Sequence, residues 1–164
     1  MSIDELAERE SQLYLKVSTL NGTIEEKLEQ IIELGISKEY KIIHQKYAEL
    51  SSENLEALKR GLFINWFAVV EPTFLTGINE LDENAKENII KETNERIKND
   101  NLDSELNWML NYYKSWDFVF TKFVKYDFFN SRIISKDETE LPKIEKQEME
   151  SRGQMGIYWS SLNQ

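Results

Sequence analysis

The chain has 164 residues, no cysteine and a formal net charge of −10 at pH 7. Lack of cysteine excludes disulfides, thiolate metal sites and cysteine nucleophiles. The negative surface repels phosphate backbones and anionic lipid heads, so nucleic-acid and membrane partners are not expected.

Hydrophobic residues make up 40% and aromatic residues 12%. That is enough to build a core without a metal or disulfide, and residues 1–164 are expected to form one helical domain. The first ten residues, MSIDELAERE, have acids where an export signal needs basic and apolar stretches. The longest apolar run, residues 62–75, is broken by Asn65, Glu71 and Pro72. It is shorter than the roughly 20 residues of a membrane-spanning helix. A cytoplasmic location is expected from both observations.

Six glycines and two prolines in the whole chain leave few breaks, and Glu, Lys, Leu and Ile are frequent, which favours helices. The first helix is expected over residues 2–20, with Ser2 and Glu5 forming a capping box and Asn21-Gly22 ending it. Thr23 caps the second, with Glu26 three residues on, and Gly35 closes it. Ser37 is expected to cap the third, whose Tyr40, Ile43, Tyr47 and Leu50 form an apolar stripe. Ser51 or Ser52 is expected to cap the fourth. It is apolar around most of its circumference, from Leu55 through Phe63 and Trp66 to Val70, and so belongs in the middle of a bundle.

Pro72 ends that helix, and residues 73–81, with Gly77, connect to a fifth helix capped by Asp82. The sixth is expected to run unbroken over residues 103–129. Trp108, Tyr112, Trp116, Val119, Phe120 and Phe123 lie in one arc of it. Beyond residue 129 the pattern is less regular. Ser135 to Glu138 resembles a capping box, and a charged stretch holding Pro142 follows. Residues 154–164, with Tyr158 and Trp159, are too apolar to stay free in water. They either dock on the core or bind a partner. The expected fold is all-α, a compact, mostly antiparallel bundle of five to six helices.

His44 is the only histidine, and the residue three before it is Lys41. Di-iron bundles need two Glu-x-x-His pairs, histidine zinc sites need a second histidine, and no nucleophile-elbow motif is present. His44 is expected to be an ordinary surface or groove residue, and no catalytic residue, metal or cofactor is assigned. Glu-x-x-Glu pairs recur, from Glu5/Glu8 to Glu145/Glu148, but the Glu-x-x-Asp partner of an all-α pyrophosphohydrolase is nowhere in the chain. The pairs are taken as solvated helix faces.

The acids beside apolar arcs say more. Asp117 falls near the edge of the aromatic face of the sixth helix, and Asp127 falls within it. Glu71 follows the apolar run of the fourth, at its negative dipole end. A buried carboxylate requires a partner, and Arg60, Arg132 and Lys59 are available donors. Residues 65–77 combine a buried helix end, a proline break and a glycine, which suits either a sharp corner or the floor of a pocket.

Three functions stay open. The first is a non-enzymatic interaction module, comparable by analogy to bacterial immunity or adaptor proteins, which binds a basic protein partner through an acidic face or through Tyr158 and Trp159. Self-association into a homo-oligomer is compatible with it. The second is a small-ligand bundle with a pocket among Trp66, Glu71, Tyr113, Trp116, Asp117 and Asp127. The third is a carboxylate-metal hydrolase, which requires three or more converging carboxylates.

Overall fold

The computed structural model describes residues 1–135 and 145–162. The capping box expected at Ser135–Glu138 and the break at Pro142 lie outside the described residues. Among those described, there are ten α-helices, one 3-10 helix and no strand. They are α1 (Ile3–Ser18), α2 (Ile24–Glu33), α3 (Ile36–Leu50), α4 (Leu55–Val70), α5 (Thr73–Thr76), α6 (Glu83–Lys98) and α7 (Ser104–Tyr113). The 3-10 helix (Lys114–Phe123) follows, then α8 (Asp127–Ile133), α9 (Lys146–Met149) and α10 (Gly153–Ser161). No helix among the described residues is long and apolar enough to cross a membrane.

The caps come from short polar side chains next to apolar runs. Ser2 and Glu5 form the reciprocal box, with the Glu5 N–H donating to Ser2 Oγ and the Ser2 N–H to Glu5 Oε2. Thr23, Asp82 and Asp103 cap α2, α6 and α7. Two expected caps move. The third helix begins after Gly35, and the Ser37 hydroxyl donates instead to the Gly77 carbonyl at 2.7 Å. The fourth is capped by Asn54, because the Ser51 hydroxyl turns back to the Ala48 carbonyl.

Helix α4 lies at the centre. Every residue from Ala57 to Phe67 is buried, and α3, α6, α10 and the 3-10 helix pack around it. The outer helices each contribute one stripe. Leu6, Leu13 and Val17 come from α1, Tyr40, Ile43 and Tyr47 from α3, and Ile89 and Ile90 from α6.

The single long helix expected over residues 103–129 does not form. The α-helix ends at Tyr113, and the 3-10 helix that follows is kinked at Trp116, whose backbone sits at φ −124° and ψ 45°. Bulky rings and the β-branched Val119, Thr121 and Val124 lose side-chain freedom in an α-helix, which lowers the cost of leaving it. Three residues per turn align Phe120 with Phe123, both buried, and leave Phe118, Thr121 and Val124 together on the outer edge.

The segment after Pro72 is a tight corner. The Gly77 N–H donates to the Thr73 carbonyl at 2.7 Å, and Thr76 Oγ1 accepts from the Ile78 N–H. Gly77 holds a left-handed φ of 80°. A Cβ there would lie 2.6 Å from Ile36 Cγ2 and 2.9 Å from Val17 Cγ2. Backbone strain and overpacking both act against a side chain at this position. Gly77→Ala is expected to lower stability by about 2–4 kcal/mol, read as a fall in the urea midpoint with an unchanged slope. A shift below about 0.5 kcal/mol would contradict this account of the corner.

Candidate functional site

The structure brings together the rings singled out from sequence. Trp66 stacks on Tyr113 with centroids 5.1 Å apart and meets Trp116 edge-on at 5.2 Å. Tyr112 lies 5.1 Å from Trp116, and Tyr158 lies 5.3 Å from Trp66. The rings fill the space between one another. Trp159, offered above as a partner-binding residue, is buried against Trp108 at 4.9 Å and Phe63 at 5.5 Å. A ring sealed there cannot meet a partner while α10 is docked. Tyr158 is half-buried, and its hydroxyl shares a hydrogen bond of 2.6 Å with that of Tyr112. Burial and this bond push the Tyr112 hydroxyl well up, and the negative charge of half-buried Glu71 adds to the effect.

Asp117 and Asp127 do not join this cluster. Both are exposed. The kink at Trp116 and the 3-10 turns around it destroy the helical phase that would have turned Asp127 inward.

The group that sequence reasoning missed is Glu10. It lies on α1, is 1% exposed, and faces Tyr47 of α3, Arg60 of α4 and Gln154 of α10. The Tyr47 hydroxyl donates to its Oε2 at 2.6 Å, and the Gln154 backbone N–H donates to Oε1 at 3.4 Å. The Gln154 side chain donates to the Tyr40 hydroxyl at 2.7 Å. Burial pushes the Glu10 carboxyl from 4.5 up to about 7, against the opposing pull of Tyr47, the Arg60 charge and the Gln154 N–H. A signal was present: Leu6, Glu10, Leu13 and Val17 are spaced four, three and four, so Glu10 occupies the buried stripe.

A second polar cluster lies beside it. Arg152 takes Glu56 with both ends of its guanidinium, Nε at 2.6 Å and Nη2 at 2.7 Å. It also donates to both Glu105 oxygens, at 2.8 and 2.5 Å. Lys59 joins Glu105 to Asp103, and Arg60 donates to Glu56 at 2.9 Å. Burial acts to raise Glu56 and Glu105, but the Arg152 hydrogen bonds and charge outweigh it and hold both below the ordinary carboxylate range. The carboxylates here converge on cations. Among the described residues no group of three or more His, Asp or Glu side chains could hold a metal ion.

His44 is fully buried, not at a surface or in a groove as expected. Its Nε2 lies 2.6 Å from Asn65 Oδ1, and Asn65 Nδ2 donates to the Lys86 carbonyl. That amide orientation puts the ring proton on Nε2, and Nδ1 has no hydrogen-bond partner among the described residues. Burial pulls His44 from 6.5 down to about 4, despite the Asn65 hydrogen bond. Asn65 also lines two surface grooves. One is polar, about 620 Å³, between Lys41, Ala68 and residues 79–84. The other is smaller, about 200 Å³, against Phe118 and Phe120. Trp66, Glu71, Tyr113 and Trp116 line neither.

No protein-family model, curated protein or solved structure matches this chain.

Glu10 and His44 pull stability in opposite directions with pH. Glu10 binds its proton more tightly in the folded state, so its contribution is present below pH 4.5 and is lost as pH rises to about 7. His44 binds its proton less tightly when folded, so its contribution is present above pH 6.5 and is lost as pH falls to about 4. Between pH 5 and 6.5 the two nearly cancel. Glu10→Gln is therefore expected to gain stability with rising pH in that window, by up to about 1.4 kcal/mol per unit, and His44→Gln to lose it at a similar rate. Denaturant titrations of the three proteins check this, and flat profiles in both variants would refute it.

Proposed function

We propose that the chain is a non-enzymatic, acidic helical interaction module that binds a basic protein partner. One observation carries this: the outer edge of the 3-10 helix and the start of α8 expose an apolar ridge next to acids without partners. Phe118, Val124 and Phe128 are 59%, 56% and 45% exposed. Exposed large side chains gathered on one segment are a common mark of a protein contact. Asp117 and Asp127, each next in sequence to an exposed phenylalanine, have no ion pair or side-chain hydrogen bond among the described residues. The neighbouring cations are occupied, Lys122 by Glu83 at 3.9 Å and Lys125 by Glu87. The free charge beside the ridge is thus negative, as is the net charge of the chain. A partner that offers apolar side chains rimmed by Lys or Arg fits it.

The test is affinity capture with the full chain and with a Phe118→Ser, Phe128→Ser double variant whose helical content is first verified. A basic partner is expected that binds less well as salt rises and whose affinity falls at least about tenfold in the variant. Equal capture by both proteins would remove the ridge from the contact, and retention of only acidic proteins would remove the charge argument. Self-association of the chain at the same ridge would count against a foreign partner.

A second function, small-molecule binding, is favoured by the two grooves that meet at Asn65. This asparagine is 4% exposed and is held by the only histidine of the chain. Glu71 and Trp116, around which a pocket was expected, line neither groove.

A further inference from the structure

Helix α10 is fastened to the rest of the fold at three points. Arg152, just before it, sits between Glu56 and Glu105. Trp159 fills the aromatic cluster. The third point is Glu10, which meets the first turn of α10. Gly153 has a left-handed φ of 64°, and a Cβ there would lie 2.1 Å from Glu10 Oε2. The start of the helix is therefore pressed against the carboxyl itself.

The surroundings of Glu10 hold little that would neutralise its charge. From α3 it faces the hydroxyls of Tyr40 and Tyr47, both pushed far up by burial and then by Glu10 itself, so both stay protonated. From α4 it faces Arg60. That guanidinium donates to Glu56, to the Ile3 carbonyl and to the Ser151 carbonyl, and stands over the Tyr47 ring at 5.9 Å. From α10 only Gln154 faces Glu10, through its backbone N–H. Arg152, the cation that precedes α10, is held by two other carboxylates. An ionised Glu10 would have one short hydroxyl donor, one long amide donor and no ion pair. A charge there is poorly solvated while the Gly153–Gln154 backbone of α10 lies against the carboxyl, and undocking of α10 would expose it.

We propose that α10 is a proton-controlled latch, docked while the Glu10 carboxyl is protonated and released when it ionises, which uncovers the aromatic face formed by Phe63, Trp66, Trp108 and Tyr112. Tyr158 and Trp159 cover that face in the docked state. Docked, the carboxyl titrates at about 7; hydrated, it returns to 4.5. The docking constant then falls about tenfold per pH unit between about pH 5 and 7 and levels off above. The latch does not require the ridge on the 3-10 helix to bind a partner, and the tests of the two read different segments.

Hydrogen–deuterium exchange of the full chain from pH 5.5 to 8, corrected for the intrinsic rate, tests it. Protection of residues 153–161 is expected to fall about tenfold per unit up to pH 7, while α6 shows no such fall. Glu10→Gln is expected to keep α10 protected at every pH. Tyr47→Phe removes a hydroxyl that favours the ionised form in the docked state, so the fall should continue to a higher pH, by as much as about one unit, before it levels off. That variant decides the matter if Glu10→Gln does not fold. Protection of α10 that ignores pH in the native chain would overturn the latch. So would a fall that persists in Glu10→Gln, or a fall in Tyr47→Phe that levels off at the same pH as in the native chain.

Discussion

The constraint on which the rest depends is that α4 has no solvent face from Ala57 to Phe67. Two of its buried residues, Lys59 and Arg60, are charged. A buried charge without a partner costs several kcal/mol, so neighbouring elements must bring carboxylates to meet it. Glu56 comes from the same helix, one turn earlier, and Asp103 and Glu105 come from the start of α7. Three carboxylates around two cations leave negative charge in excess. Arg152 supplies the missing positive charge. The C-terminal helices are thus drawn to α4 by electrostatics as well as by the apolar surface of Trp159.

The same central helix sets the aromatic cluster. Phe63, Trp66 and Phe67 follow at spacings of three and one, so their rings project to one side of α4. The tyrosines and tryptophans of α7 and α10 pack on them edge-on and stacked at 5–6 Å, the separations favoured by ring quadrupoles. The density of rings has a cost. Trp66 Nε1, Tyr113 Oη and Trp159 Nε1 are buried without hydrogen-bond partners among the described residues. Each is a desolvated polar atom worth about 1–3 kcal/mol. The rings still remain because the area they bury is larger than these losses at about 25 cal/mol per Å².

The all-helical fold and the caps at Ser2, Thr23 and Asp82 were legible in the sequence, since each stands just before an apolar periodic run. What escaped has specific causes. Glu10 and His44 occupy buried stripe positions, Leu6-Glu10-Leu13 and Tyr40-His44-Tyr47, and treating charged or polar residues as solvent-facing hid both. Asp127 was misplaced because helical phase was carried across Trp116, where the backbone leaves the helical region. The clamp on Arg152 joins residues 47 and 96 positions apart, and no local pattern encodes such contacts.

The exposed ridge and the C-terminal helix are parts of one packed unit. Trp159 approaches Tyr113 at 6.3 Å, Tyr113 approaches Phe120 at 6.2 Å, and Phe120 meets Phe129 edge-on at 5.3 Å. Phe120 lies on the inner row of the 3-10 helix whose outer row carries Phe118 and Val124. Long 3-10 runs have poorer hydrogen-bond geometry than α-helices, so this segment relies on side-chain packing to hold its shape. Removing Trp159 takes away part of the wall on which Tyr113 and then Phe120 rest. The shape of the 3-10 helix therefore leans on α10 through Tyr113 and Phe120.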